Sequence, residues 1–323
     1  MAENNLSLGM ANLDAFAQAL IDLAEHDRDL LVVTSDSRGS GRVTPFAERF
    51  PEQVVELGIA EQNLVGVSAG LASVGKKVFV VSPACFLTAR SLEQIKNDVA
   101  YSDQPVKIVG ISAGVSYGAL GATHFSLHDF AALQAIHNID IVAPADNFET
   151  RSAIFQAVRY PRPLYIRFGK KAMPDLHAPG THFVIGKAIQ LTKRREAYDV
   201  ALIATGESVA PALLASQILD EGGITCCVLS LHTIRPFDEE AVKEAAFRSK
   251  VVMTVEEHSI NGGLGSRVAS CLMQAGIFRR LRIVGIPDEH IVTGSQAEIF
   301  DHYGLSPQPL SQTALQLLEK GAN

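Results

Sequence analysis

The sequence has few cysteines, and none is placed for a disulfide framework or a metal site. Only four of the 323 residues are cysteine, and no two have the spacing of a metal-ligand or redox pair. Cys226 and Cys227 are adjacent in a predicted strand, where consecutive side chains point to opposite faces of a sheet. We therefore expect buried free thiols rather than metal-bound or redox-active ones.

The sequence also lacks the patterns of membrane, secreted and nucleic-acid-binding proteins. No apolar run is long enough to span a bilayer, and residues 1–10 have no basic region followed by an apolar core. The formal net charge is −7, and the one basic run, 193–195, is interpreted as a solvated turn. We expect a cytoplasmic protein with no nucleic-acid partner and no membrane partner.

Apolar residues are abundant, by contrast. Hydrophobic residues make up 47% of the chain and charged residues 20%, which is a globular composition on the apolar side. Such a composition is typical of a chain that buries part of its surface against another chain. The length suits two domains of ordinary size, each with its own core.

Short apolar runs alternate with helical patterns along most of the chain, which predicts mostly parallel sheets. The predicted strands are 30–34, 54–59, 77–82, 106–112, 139–143, 164–168, 200–205, 225–231, 250–256 and 281–286. The fold class is α/β, with two domains that are each a mostly parallel sheet flanked by helices. The first domain is predicted over 9–170 and the second over 191–323, joined by a linker, 171–190, that contains proline and glycine.

The stretch Val54 to Gly75 is a strand that leads into a helix, with Glu61 at the junction. A glutamate at a helix start is usually solvated and complements the helix dipole. Here the neighbours on both sides are small or apolar, so Glu61 is expected in a crevice between packed elements. A carboxyl group in such a place can share or donate a proton, which makes it a candidate functional group.

Other candidates lie where predicted strands end, because ligands bind beyond the carboxyl ends of strands in open α/β sheets. Asp36 follows the strand 30–34, although a turn-forming aspartate is an equal interpretation. Phe86 follows 77–82; it would be a core residue in most proteins, and its position also allows stacking on a ligand. His124 lies in a glycine-rich loop, whose glycines allow the backbone to approach a ligand closely. Arg167 ends the strand 164–168.

Three motifs together resemble the C-terminal half of transketolases. They are the run FPEQVVELGIAEQNLVGVSAGLASVG, the loop GATHFSLHD, and Glu256-Glu257-His258 followed by GGLG. The resemblance extends from about Gly9 to about Gln316. It implies a thiamine-diphosphate pyrimidine-binding (Pyr) domain followed by a transketolase C-terminal domain. The glycines at 262–265 do not match a dinucleotide-binding spacing and are interpreted as a helix start.

The resemblance also implies roles for six residues. Glu61 matches the glutamate that hydrogen-bonds the aminopyrimidine of thiamine diphosphate and activates the cofactor, and His124 matches a histidine near the reacting centre. The implied binding residues are Ile59, Phe86 and Asp36 for the cofactor and Arg167 for the substrate's phosphate.

Some positions depart from the family pattern. Ala89 replaces the second aromatic residue of the cofactor cage, and 10–12 lacks the arginine that sugar-phosphate transketolases often have. Ser112 and Leu120 replace a histidine and an acidic residue that contact the distal part of the sugar. The resemblance therefore leaves the donor and acceptor sugars undefined.

The motif that holds the cofactor's diphosphate in this family is missing. That motif is GDG with an asparagine pair, it binds Mg²⁺ or Ca²⁺, and no GDG occurs in this chain. The resemblance therefore implies the C-terminal subunit of a split transketolase, which transfers a two-carbon ketol unit from a ketose to an aldose. The diphosphate and the metal would be held by an N-terminal partner chain in a heterotetramer. Self-association would use both domains of this chain, which itself would hold no metal.

Three alternatives remain from the sequence. The beta subunit of a 2-oxo-acid dehydrogenase decarboxylating component has the same two domains and glutamate, but the loop GATHFSLHD favours transketolase. A split enzyme similar to deoxyxylulose-phosphate synthase is the second alternative. The third is a non-catalytic partner that has kept the fold, and the joint presence of Glu61, Phe86 and His124 argues against it.

Overall fold

The computed structural model describes residues 6–319. The first half consists of the following elements: β1 Leu8–Ala11, α1 Asn12–Ala24, β2 Leu30–Thr34, α2 Thr44–Arg49, β3 Val54–Glu56, α3 Glu61–Ser73, β4 Lys77–Pro83, α4 Ala84–Arg90, α5 Leu92–Gln94, β5 Lys107–Ile111, α6 Asp129–Gln134, β6 Asp140–Val142, α7 Asn147–Ala157, β7 Leu164–Arg167 and β8 Ala172–Pro174. A π-helix, Ile95–Tyr101, follows α5.

The second half repeats the alternation of strands and helices. Its elements are β9 Ile189–Gln190, β10 Tyr198–Ala204, α8 Val209–Glu221, β11 Cys226–Ser230, β12 Thr233–Arg235, α9 Glu239–Phe247, β13 Ser249–Ser259, α10 Leu264–Gln274, β14 Arg280–Ile286, α11 Gln296–His302 and α12 Pro307–Glu319. None of the helices within residues 6–319 is long and apolar enough to cross a membrane. The last four residues of the predicted second domain lie outside the described part.

Two mostly parallel sheets organise the molecule, which confirms the predicted fold class. The first has the order β12-β6-β7-β5-β4-β2-β3, and the second has the order β14-β13-β10-β11-β9. Only the edge strands β12 and β9 pair antiparallel within them. The inner strands are continuous apolar runs such as 30–34, every residue of which is buried, because helices cover both faces of a parallel sheet.

The edge strand β12 belongs by sequence to the second half but completes the first sheet, where Thr233 pairs with Val142. The chain therefore passes between the two sheets more than once, because it returns to the first sheet at β12. The buried cysteines agree with the sequence prediction: Cys226 and Cys227 contribute to different core clusters on opposite faces of the second sheet.

The predicted linker is packed against the rest of the chain. Its strand β8 pairs antiparallel with β1, and the buried ring of His177 lies 2.7 Å from Asp146 and 3.1 Å from Glu149. Burial would lower the pKa of His177, but the hydrogen bond to Asp146 and the nearby Glu149 carboxylate raise it to about 9. The imidazolium charge therefore fixes the linker to the first domain at neutral pH. Proline and glycine indicate a non-helical path, but they do not show whether the segment is packed.

Candidate active site

The junction of β3 and α3 places Glu61 at the first residue of the helix, with 5% of its surface exposed. The helix packs Leu64 and Val65 against the first sheet, and this packing places Glu61, in its first turn, in the interior. Glu61 Oε1 accepts a hydrogen bond of 2.8 Å from Arg90 Nη1. The carboxyl group therefore lies in a crevice, as the sequence predicted, and it is paired with a cation.

Helix α4, which follows β4, presents Phe86 and Arg90 beside this carboxyl group. The two residues are four apart, so they share one face of the helix. The Arg90 guanidinium lies over the Phe86 ring, 4.3 Å from its centroid, and at the same time bonds Glu61. The sequence analysis missed Arg90, although its spacing from Phe86 could have identified it.

The glycine-rich loop after β5 brings His124 to the same place. Its ring meets Phe86 edge-on, with centroids 5.3 Å apart, and it meets Tyr117 in the same way at 5.3 Å. Thr123 Oγ1 lies 3.0 Å from His124 Nδ1. The structure therefore brings Glu61, Phe86 and His124 together, and it adds Tyr117, which the sequence analysis did not select.

Tyr117 connects His124 to a lysine that was also not predicted. Burial raises the pKa of the Tyr117 phenol above its usual value. The exposed Lys170, three residues after β7 ends, holds its Nζ 4.6 Å from the centroid of the Tyr117 ring. A cation that is accessible to solvent thus lies over the Tyr117 ring, which in turn contacts the histidine.

Asp36 and Ile59 lie at the open side of this cluster. Asp36 is exposed in the loop that follows β2, and its charge contributes to the raised pKa of Tyr117. Ile59, two residues before Glu61, is 71% exposed. An exposed isoleucine beside a buried carboxyl group leaves apolar surface available to a ligand or a second chain.

Arg167, which the resemblance matches to a residue that binds a substrate phosphate, is buried in the structure. It is 5% exposed, and its Nε donates to Asp129 Oδ2 at 2.8 Å. Its Nη2 donates to the backbone oxygens of Ser126, at 3.1 Å, and Glu257, at 2.7 Å. These bonds hold the guanidinium inside the protein because a buried charge needs its partner. Arg167 thus bonds residues of both domains.

The glycines of the loop approach the second domain and not an open cleft. A Cβ on Gly114 would lie 2.2 Å from Glu257 Cδ, and a Cβ on Gly118 would lie 2.8 Å from the backbone oxygen of Gly294. The sequence predicted that these glycines allow the backbone to approach a ligand. In the structure these glycines allow close packing between the domains.

The 262–265 glycines start a helix, as predicted. Helix α10 begins at Leu264, and the buried Glu256 accepts hydrogen bonds from the backbone N–H groups of Leu264, at 2.6 Å, and Gly265, at 2.7 Å. The Glu256 carboxyl group thus occupies the place where an external anion would bind at the N-terminus of helix α10.

The cluster around Glu61 suits one half of a cofactor site. A planar aminopyrimidine needs a carboxyl partner for a ring nitrogen and an aromatic ring to stack on, and the cluster contains a buried carboxyl group and an aromatic ring. Within residues 6–319 no group of three or more His, Cys, Asp or Glu side chains could hold a metal ion. The fold and this site define the class as the pyrimidine-binding half of a thiamine-diphosphate enzyme.

The chain belongs to the transketolase family. The transketolase pyrimidine binding domain matches residues 9–175, and the transketolase C-terminal domain matches residues 190–310. The chain is thus a subunit of a transketolase-type transferase and corresponds to the C-terminal half of that enzyme.

Relatives that are themselves subunits match this chain over nearly the whole length of both proteins. An apulose-4-phosphate transketolase subunit of Phocaeicola vulgatus is 48% identical over 307 residues, which cover 95% of this chain and 97% of that protein. A 6-deoxy-6-sulfo-D-fructose transketolase subunit of a Clostridium species is 34% identical, covering 95% and 94%. A solved structure, a split gene transketolase in an inactive beta4 tetramer, is 32% identical with a TM-score of 0.85, covering 96% of this chain and 99% of that chain. These similarities favour a transketolase subunit over a split enzyme similar to deoxyxylulose-phosphate synthase.

Proposed function

We propose that this chain is active as the C-terminal subunit of a split transketolase and that a partner chain completes its cofactor site. The observation that carries the proposal is the buried Glu61 beside Phe86 and His124, in a chain whose sequence has no GDG motif. The partner would hold the diphosphate and a Mg²⁺ or Ca²⁺ ion. The reaction would move a two-carbon ketol unit from a ketose to an aldose.

Each residue of the cluster has a role toward the cofactor in this proposal. When bound, thiamine diphosphate supplies the carbon nucleophile that takes up and releases the ketol unit. Glu61 holds a proton at a pyrimidine ring nitrogen, Phe86 stacks on that ring, and Ile59 supports it from the exposed side. Asp36 borders the same pocket. His124 orients the substrate and exchanges protons with its oxygen.

Arg90 is compatible with this arrangement, and it limits which Glu61 oxygen and which face of Phe86 the cofactor can contact. Its Nη1 bonds Glu61 Oε1, and among the described residues no donor bonds Oε2, which leaves that oxygen for the cofactor. The guanidinium also covers one face of Phe86. The pyrimidine would therefore stack on the opposite face or displace Arg90.

The substrate proposed is a ketose with an anionic end. One relative is described as acting on apulose 4-phosphate and another on 6-deoxy-6-sulfo-D-fructose, so a phosphate in one and a sulfonate in the other mark the substrate. Lys170 is an exposed cation over the Tyr117 ring, which meets His124, whereas Arg167 is held in the interior. We assign the anionic end to Lys170.

Assembly through apolar surface follows from the same proposal. Ile59 lies at the cofactor cluster, and Tyr101 and Leu120 are further large apolar residues that are more than half exposed. We propose a heterotetramer of two copies of this chain and two partner chains, with self-association through both domains.

Calorimetric titration tests the shared site. Thiamine diphosphate with Mg²⁺ should bind the mixture of this chain and the candidate GDG-bearing chain, and not this chain alone. Glu61→Ala should abolish turnover of the mixture, with a heat-denaturation midpoint near that of the unsubstituted chain. Glu56→Ala is the matched control, because Glu56 is an exposed carboxylate that pairs with Arg38 at the end of the preceding strand. Tight binding by this chain alone, or near-normal turnover of Glu61→Ala, would contradict the proposal.

A further inference from the structure

We propose that Glu257 and Gln296 of the second domain are positioning residues that hold the glycine-rich loop, 113–128, and with it His124. The inference rests on the proposed function in one respect, which is the role of His124 in the reaction. The anchoring of the loop is argued from contacts alone.

The loop is closed at its base and held from the second domain near that base. Gly114 and Ser126 form a two-way backbone bridge, with N–O distances of 3.2 and 2.9 Å. The next amide, Val115 N–H, donates to Glu257 Oε1 at 2.9 Å. On the returning side, Ser259 N–H donates to the Leu127 backbone oxygen at 3.1 Å.

Gln296, at the start of α11, fixes the glutamate that holds the loop. Its Nε2 donates to Glu257 Oε1 and to Glu207 Oε2, both at 2.9 Å. All three side chains are buried. One amide therefore joins two carboxyl groups and determines where the acceptor for Val115 lies.

Apolar packing adds to these hydrogen bonds. Val115, Phe125 and Leu127 of the loop are buried in the same core cluster as residues of the second domain, including Val255 and Ile286. The loop therefore belongs to the first domain by sequence, but its base packs in the core of the second. His124 and Tyr117, which lie between these anchors, remain half-exposed at the site.

The charged and polar groups around Glu257 favour a single position of its carboxyl group. The groups that face it are Glu207, Arg167, the Gln296 amide and the Val115 N–H. Burial, followed by the charge of Glu207, raises the pKa of Glu257 to about 8, and burial also raises the pKa of Glu207. A protonated carboxyl group at neutral pH avoids repulsion between the two acids, and its Oε1 still accepts both hydrogen bonds.

Hydrogen exchange of the full chain, followed by mass spectrometry of peptides, tests the anchoring without any need for turnover. Glu257→Ala should accelerate exchange at Val115 about tenfold, since a protecting hydrogen bond is lost. Glu257→Gln keeps an oxygen acceptor and should restore most of the protection. Glu256→Ala is the matched control from the same strand, because Glu256 bonds the amides of Leu264 and Gly265 instead. It should accelerate exchange at 264–265 and leave 113–118 unchanged.

Turnover of the complete enzyme supplies the second measurement. Glu257→Ala should lower kcat about tenfold or more with little change in cofactor affinity, and Glu257→Gln should recover most of it. If Glu257→Ala does not fold, Gln296→Ala is used in its place. Unchanged exchange over 113–118, or equal acceleration there by Glu256→Ala, would overturn the positioning role. Altered exchange in a chain that shows no transketolase activity would instead contradict the proposed function and leave the anchoring intact.

Discussion

At the scale of single residues, two cations near the end of β7 differ in what their side chains contact. Arg167 is buried between the domains and bonds Asp129, whereas Lys170 is exposed and lies over Tyr117. Both could be matched to an anionic substrate from sequence alone. Of the two, only Lys170 has an exposed charged group in the structure, because Arg167 compensates the buried carboxylate of Asp129.

Substitution separates these two roles. Lys170→Ala should raise the KM for a ketose with a terminal phosphate about tenfold, which corresponds to about 1.4 kcal/mol, with kcat near normal. Arg167→Ala should lower the free energy of unfolding by about 3 to 5 kcal/mol, because it leaves Asp129 buried without its partner. Steady-state kinetics and urea unfolding measure the two effects. The neighbouring exposed Lys171 is the control for Lys170, and an equal rise in KM for Lys171→Ala would exclude a specific contact.

At the scale of elements, four adjacent strands of the first sheet deliver the site. The order β5-β4-β2-β3 places the loop with His124, the helix with Phe86, the loop with Asp36 and the helix with Glu61 side by side. Each follows the carboxyl end of its strand, and in a parallel sheet these ends meet at one edge. The alternation of strands and helices in the sequence predicts that the site lies at the carboxyl-end edge of a parallel sheet. The strand order, which only the structure gives, determines which of the site residues are neighbours.

The loop after β5 depends on glycine for its contact with the second domain. Gly114 has a φ of +61°, and an added Cβ would overlap Glu257. Gly114→Ala should therefore lower the free energy of unfolding by about 1 to 3 kcal/mol, from backbone strain and overpacking. Gly70→Ala is the matched control. Gly70 lies in α3 with no atom within 4 Å of an added Cβ, so this change should raise stability by up to about 1 kcal/mol. Denaturant unfolding of both variants checks the prediction, and a neutral Gly114→Ala would show that the domains can shift to admit the methyl group.

At the scale of the whole molecule, buried acids at the domain interface make stability depend on pH. The folded pKa of Glu257 is raised from 4.5 to about 8, chiefly by burial. The folded state thus binds a proton more tightly than the unfolded chain does. This contribution is complete below pH 4.5 and is lost as the pH rises toward 8. The slope for one such group is about 1.4 kcal/mol per pH unit.

Glu257→Gln removes this titration and should flatten the fall in unfolding free energy between about pH 5 and about pH 8. Urea unfolding at several pH values, for the unsubstituted chain and for Glu257→Gln, measures the difference in slope. Glu56→Gln, at an exposed carboxylate, should leave the slope unchanged. Parallel slopes for the unsubstituted chain and Glu257→Gln would show that Glu257 titrates alike in both states.

The sequence by itself determined the fold class, the mostly parallel sheets, the buried cysteines and the family. Local patterns determine these features: apolar runs define strands, and contiguous motifs such as the one around Glu61 carry the resemblance. The tertiary structure decided what Arg167 contacts, which chain segment the loop glycines approach, that β12 crosses to the first sheet, and that Arg90, Tyr117 and Lys170 join the cluster. These are contacts between residues far apart in the chain, and only the packing of the sheets and the two domains brings such residues together.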